Sequence, residues 1–348
     1  MKVFTCDNCN QLLYFENSTC LNCNHTVGFD AVQFSMLALN SSSNSYSSVH
    51  NNNTAVRFCA NAVHGTCNWL IPVDQASPFC PACALNRTIP DLSNIDNQQK
   101  WKRIEIAKHR LVYSLLRLGL PTNPKRNLGD LEGIAFDFMA DISVAEKVMT
   151  GHDNGVVTLN IDEADEGERT RHKLDLGERY RTLLGHFRHE IGHYYWEILI
   201  KDSMHLAKFR QLFGDDQRDY GEALDTYYKT ATPANWNDQF ISPYATSHAW
   251  EDWAESWAHY MHMMDTLETA WSFGIGIKRP GITTSVAEDP YSTKDFTQII
   301  NRWLPLTFAV NSLNRSMGHA DFYPFIIAPP VIEKLQFIHD VCSGYRNG

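Results

Sequence analysis

His189, Glu190 and His193 have the types and spacing that suggest chemistry, in the run Gly185-His186-Phe187-Arg188-His189-Glu190-Ile191-Gly192-His193. On a helix the two histidines are four apart and lie one above the other, so both imidazoles can reach one metal ion. Glu190 projects beside them, where a carboxylate can take a proton from a metal-bound water without becoming a ligand. The bare H-E-x-x-H pattern also arises by chance, so its setting gives it weight. Leu183, Leu184, Phe187, Ile191, Tyr194, Tyr195 and Ile198 supply the apolar faces of a core helix.

Such a site needs a third ligand. The pattern H-E-x-x-H-x-x-G-x-x-H is excluded, because Trp196 stands where its glycine would be and Leu199 where its histidine would be. Glu251 and Glu255 are better candidates, four apart on one helical face with Trp253, Ala254 and Trp257 available for packing. Burying two carboxylates is costly unless one binds metal and the other accepts a ligand histidine's N–H. Spacing alone permits either to be the ligand. His186, His259 and His262 lie on the same two stripes and read as hydrogen-bonded interior or pocket histidines, with a place on the metal as the alternative for each.

A second kind of chemistry sits at the other end of the chain. Eight of the nine cysteines precede residue 84. Cys6, Cys9, Cys20 and Cys23 form two C-x-x-C knuckles, and Cys59, Cys67, Cys80 and Cys83 a less regular second set, in which His64 is the alternative to Cys67. Four thiolates complete a closed tetrahedral zinc site with no open position, so both sets read as structural. Tyr14 and Phe15, between the knuckles, suit a short ribbon strand. Cys342 has no such partner and reads as a buried or idle thiol.

The elements that must position these groups follow from pattern. Residues 1–95 are expected to form a zinc-ribbon region, with a Ser/Asn-rich loop at about 40–54, and residues 96–348 a larger domain. Ile104, Ala107, Leu111, Leu115 and Leu118 mark a helix from Trp101 to Gly119. Residues 134–138 and 155–161 read as strands, residues 281–291 as loop, 296–303 as an amphipathic helix and 331–342 as a last helix. The formal charge is −10. Residues 1–100 hold four basic side chains against six acidic ones, so no basic patch is available for nucleic acid. No membrane span or signal peptide is read, and the expected location is cytoplasmic with thiols reduced.

H-E-x-x-H followed some sixty residues later by E-x-x-x-E resembles the gluzincin metallopeptidases. The cysteine knuckles, Cys67-Asn68-Trp69-Leu70, Gly185-His186-Phe187-Arg188-His189-Glu190, Trp250-Glu251-Asp252-Trp253-Ala254-Glu255 and Trp303-Leu304-Pro305-Leu306-Thr307 are more closely similar to one bacterial family, the zinc-ribbon-containing zinc-binding metallopeptidases. That resemblance covers nearly the whole chain. It implies an α+β fold, a zincin-like domain behind the Cys-rich one, and a zinc-dependent protease acting on a peptide or protein substrate. It makes His189, His193 and Glu251 the ligands of a catalytic zinc, Glu190 the general base, Glu255 the acid that orients a ligand histidine, and Tyr244 an oxyanion donor. Two further zinc ions occupy the thiolate sets, and the strand at 155–161 binds extended peptide as an edge. The alternative from another class is a zinc-dependent binding or scaffold protein whose ribbons recognise a partner and whose H-E-x-x-H site is structural.

Overall fold

The computed structural model describes every residue except 42–44, 51–54, 128, 142–147, 166–181, 280 and 348. It contains two compact units, Met1–Leu115 with Pro121–His172, and Leu116–Leu120 with Lys173–Gly348. Helices and strands are mixed, an α+β architecture.

The first unit opens with a hairpin of β1 (Phe4–Thr5) and β2 (Leu12–Leu13), whose turn carries Cys6 and Cys9. The second strand ends just before Tyr14 and Phe15, leaving Tyr14 exposed and Phe15 buried. Strands β3 (Thr26–Asp30), β4 (Ser35–Ser41), β5 (Tyr46–Ser48), β6 (Ala55–Phe58) and β7 (Trp69–Pro72) then close into a barrel. Closure comes from β3, which pairs antiparallel with β4 and parallel with β7. Leu37, Leu39, Val56 and Leu70 form its core, with Tyr46 and Phe58 packed against them. The interior is tight at Gly28, where an added Cβ would fall 2.6 Å from Leu70.

This barrel corrects the reading of 40–54 as a flexible loop, since β5 lies inside that tract; 42–44 and 51–54 fall outside the described residues. Serine and asparagine give no apolar period, but three residues suffice for a closing strand when β4 and β6 supply its hydrogen bonds.

Beyond the barrel, β8 (Asn86–Thr88), α1 (Ile95–Leu118), β9 (Ala135–Met139), β10 (Gly151–Asp153) and β11 (Val156–Asn160) complete the unit. The last turn of α1 counts with the second unit. The sheet order is β10-β11-β9-β8, parallel from β11 through β8. Val157, Leu159 and Ile161 are buried. Strand β11 is therefore not an edge: β10 pairs with one side and β9 with the other, which removes it as a docking strand for peptide. Phe4, Phe15, Phe29, Trp69 and Tyr113 form an aromatic cluster that joins hairpin, barrel and α1, with Phe29 and Trp69 centroids 4.8 Å apart.

The second unit is mainly helical: α2 (Leu183–Leu199), α3 (Leu206–Phe213), α4 (Tyr220–Lys229), α5 (Ala249–Ser272), α6 (Phe296–Ser316) and α7 (Pro329–Asn347). A hairpin, β12 (Gly276–Arg279) and β13 (Ile282–Ser285), occupies part of the segment read as loop. Helix α6 runs well past residue 303, through Pro305, because Trp303 and Leu306 are buried on its inner face. Tyr195, Trp253, Trp257, Leu267 and Ile338 are core, and Cys342 is a buried free thiol. The buried pair of Lys334 on α7 and Asp252 on α5, 2.6 Å apart, satisfies a charge at each end. Among the described residues no helix is long and apolar enough to cross a membrane.

Candidate metal centres

Helix α2 starts at Thr182, whose hydroxyl accepts the Gly185 N–H, and buries Leu183, Phe187, Ile191 and Tyr195. Its polar stripe faces α5. The two helices can approach because the contact is made by small residues: a Cβ on Gly192 would lie 3.1 Å from Ala254 Cα and 3.2 Å from Trp257. Trp253 Nε1 donates to the Gly192 carbonyl, 2.9 Å away, across the same contact. The start of α5 is fixed by His248, whose Nδ1 accepts the Trp250 N–H while its Nε2–H donates to the Arg218 carbonyl. Glu251 and Glu255 are thereby presented to α2.

The geometry separates the two acids. Glu251 Oε2 lies 3.0 Å from His189 Nε2 and 3.5 Å from His193 Nε2, and donor atoms of these three residues all fall within 4.8 Å of one another. Glu255 Oε1 is 2.7 Å from His189 Nδ1. A carboxylate only accepts, so Nδ1 carries the hydrogen and a neutral His189 turns the Nε2 lone pair toward Glu251. A lone pair facing a carboxylate that is 1% exposed calls for a cation between them. Where no metal is bound, a proton on His189 takes that cation's place. Burial opposes a charged His189, yet Glu251 and Glu255 hold its pKa well above the ordinary value. Burial likewise opposes an ionised Glu251, yet His193 and His189 hold its carboxyl well below the usual range. Two imidazole nitrogens and one carboxylate oxygen are zinc donors and leave a fourth position open.

Glu190 is buried beside this triad, and His186 Nε2 lies 3.1 Å from its Oε1. Burial alone would raise its pKa, but His186 and the neighbouring histidines bring it down to about 2, so the group is a carboxylate at neutral pH. The sequence reading of His186 as a hydrogen-bonded pocket histidine, with metal ligand as the alternative, meets a specific partner in Glu190, a pairing its i,i+4 spacing could have suggested. His262 and His259 are also engaged elsewhere, His262 with Arg188 at 2.5 Å and His259 with the Tyr323 hydroxyl at 2.7 Å.

Two tyrosines complete the surroundings. Tyr244 sits in a short 3-10 turn with its ring centroid 6.0 Å from that of His189. Tyr220, which sequence reasoning missed, opens α4 behind the cap Asp219 and donates its hydroxyl to Glu251 Oε1 at 2.5 Å. Burial and the Glu251 charge push both phenols up, so both remain donors. Trp250 lies against His193, centroids 4.0 Å apart.

In the first unit, Cys6, Cys9, Cys20 and Cys23 form one group with sulfurs within 4.8 Å of each other, and Cys59, Cys67, Cys80 and Cys83 a second. The Cys6–Cys23 and Cys9–Cys20 sulfurs are 3.6 Å apart and Cys67–Cys80 3.7 Å, close to the edge of a tetrahedral zinc–thiolate site. His64 packs edge-on against Trp101 instead of joining the second group.

Residues 97–341 match the family model described as "Putative zinc-binding metallo-peptidase", and residues 3–94 match a zinc-ribbon domain. Uncharacterized proteins of Mycobacterium bovis and of two strains of Mycobacterium tuberculosis are each 42% identical over 347 residues, covering 98% of this chain and 95% of the relative. No solved structure was found to match. In sequence order two thiolate groups precede a helix pair carrying histidines and acids, and the chain belongs to the zinc-binding family that this model describes.

Proposed function

We propose that the chain hydrolyses peptide bonds at a zinc ion held by His189, His193 and Glu251, with Glu190 as general base. The observation that carries this reading is the place of Glu190: a buried carboxylate, held ionised by His186, adjoining a three-donor set without belonging to it. A closed structural site has no use for such a group. Zinc, when bound, acidifies a water and polarises a carbonyl. Glu190 receives the water's proton and hands it to the leaving amine. Glu255 keeps the His189 ring turned, and Tyr220 holds one oxygen of Glu251 so that the other faces the two histidines. Tyr244, whose ring centroid lies 6.0 Å from that of His189, serves in this reading as the oxyanion donor, which predicts that Tyr244→Phe lowers kcat more than it raises KM. Steady-state kinetics check this, and an unchanged kcat returns Tyr244 to packing.

A peptide library incubated with the zinc-loaded chain tests the activity, with Glu190→Gln as the control. Cleavage by the parent and not by the variant is expected; cleavage by neither overturns the reading. Four groups of donors converge among the described residues, but Cys83, Glu105 and His109 share Cys83 with the second thiolate set, so three ions per chain are expected. The histidine set leaves one position open and the thiolate sets do not, so a chelator should remove one ion, together with activity, before the other two. Elemental analysis during chelation checks the order, and simultaneous loss of all three contradicts it.

A further inference from the structure

Helix α5 repeats itself where it meets α2. Trp253-Ala254-Glu255 is followed one turn on by Trp257-Ala258-His259, and Glu251 and Glu255 are themselves four apart. Residues four apart share one face of a helix, and helices pack through ridges of that period. The two helices run antiparallel: His193 faces Glu251, Gly192 meets Ala254 and Trp257, and Arg188 reaches His262 and Asp265. Sliding α2 by one turn along α5 gives each of these contacts an equivalent except the last. Glu255 comes opposite the histidine Nε2 atoms in place of Glu251, and His259 comes behind His189 in place of Glu255. Ala258 replaces Ala254 against Gly192, and the flexible Met261 replaces Trp257. The Trp257 indole in turn replaces that of Trp253, which donates to the Gly192 carbonyl at 2.9 Å. A slide the other way is blocked. Trp250 would stand where Ala254 does, at a contact where even a Cβ added to Gly192 would fall 3.1 Å from Ala254 Cα.

The Arg188 contact is the one that tells the two registers apart. Arg188 is 2% exposed, and it donates through Nη1 to His262 Nδ1 and through Nη2 to Asp265 Oδ2, each at 2.5 Å. One turn further along α5 these partners become Thr266 and Thr269. Neither threonine carries a charge, and a buried guanidinium deprived of its counter-ion is strongly destabilising. The fork also reads position, since two N–H groups in one plane meet an imidazole and a carboxylate three residues apart in one register only. Helix α5 is held on another side by α7, through Lys334 to Asp252 at 2.6 Å and His339 to Tyr260 at 3.1 Å, so α2 is the helix whose place Arg188 decides.

We propose, on the reading of His189, His193 and Glu251 as a zinc site, that Arg188 is a positioning residue: it sets the register of α2 on α5 and so selects Glu251 as the metal ligand and Glu255 as the acceptor for His189 Nδ1. Without the guanidinium the two registers compete, and the acid facing the Nε2 atoms is Glu251 in one and Glu255 in the other. One turn is about 5.4 Å of travel, against the roughly 0.5 Å to which a binding constellation must be held. Registry is the best-attested use of a buried ionic group.

Zinc titration of the full chain tests this, with zinc in the two thiolate cages subtracted. Glu251→Ala and Glu255→Ala are each measured with Arg188 present and together with Arg188→Met, which fills similar space without the charge. Arg188→Met alone should weaken the histidine site about 10–100-fold, the usual effect of losing a group that holds a ligand in place. The excess loss in Glu251→Ala over Glu255→Ala should then shrink about tenfold or more, or change sign, because Glu255 serves in the second register. A general weakening of the fold lowers both variants alike and leaves their difference standing. That difference unchanged, or an unchanged affinity in Arg188→Met, overturns the proposal. Arg188→Lys, which keeps the charge and loses the fork, should recover part of the affinity. Should Arg188→Met fail to fold, Asp265→Asn is judged by the same difference. If the parent takes up no zinc beyond the cages, the metal site and this proposal fall together; if it binds zinc and cleaves no peptide, only the hydrolytic reading falls.

Discussion

Glu190→Gln is expected to lower peptide turnover about 10²–10⁴-fold, the usual share of a general base, while the chain keeps its fold and its zinc. The substitution is close in shape, and the glutamine oxygen can still accept from His186, which lies 3.1 Å from the carboxylate in the parent. Only the capacity to take a proton is lost. Removing a negative charge from a buried place next to His189 and His193 changes zinc affinity little, because Glu190 belongs to no set of converging donors among the described residues. Turnover and zinc content measured on one preparation give the answer. A parent-like rate removes Glu190 from the proton path, whereas loss of zinc along with activity places it in the metal-holding set. His186→Ala provides the companion measurement: kcat falls with KM held if the ring's task is to hold Glu190.

Parts of this site can be read from the sequence because they rest on periodicity. His189 and His193 announce themselves by a spacing of four within an apolar helix, and the buried pattern of α2 follows from the same period. Glu251 and Glu255 announce themselves as a pair, but a shared stripe treats them alike. What distinguishes them is ring orientation across a helix contact, which depends on Gly192 and Ala254 allowing close approach. Tyr220 had no local signal at all. Its bond to Glu251 joins residues 31 apart through the placement of a separate helix, and nothing in Asp219-Tyr220-Gly221 marks a ligand's partner.

The ribbon region shows the same division. Its cysteines were legible by spacing, but β5 was not, because the order of Tyr46–Ser48 comes from its neighbours' hydrogen bonds and not from its composition. Strand β11 was legible by its alternation, yet its place inside the sheet depended on β10, a Gly-His-Asp segment with no pattern of its own. His109 belongs to this group as well. Its ring reaches sulfurs 26 and 29 residues away, a contact visible only once α1 packs on the cage.

Zinc titration of Glu251→Ala and Glu255→Ala should show unequal losses. Glu251 Oε2 is the oxygen that both histidine Nε2 atoms face, at 3.0 and 3.5 Å, so its removal leaves two nitrogens to hold the ion. It also strands Tyr220, whose hydroxyl loses its acceptor in a buried place. Glu255 touches the other side of His189, and without it the ring is free to turn and its Nε2 becomes less basic. Such a change is typically worth about 10–100-fold in affinity. At zinc concentrations where Glu255→Ala still fills the histidine site, Glu251→Ala should leave it empty, with zinc in the two thiolate cages subtracted from both curves. Tyr220→Phe then locates its own share: it removes a hydrogen bond to the ligand and no ligand, so its affinity should lie between the parent and Glu251→Ala. Tighter zinc binding by Glu251→Ala than by Glu255→Ala would exchange the two roles. Equal losses would mean that both oxygens reach the metal, which the 2.7 Å contact between Glu255 and His189 Nδ1 argues against.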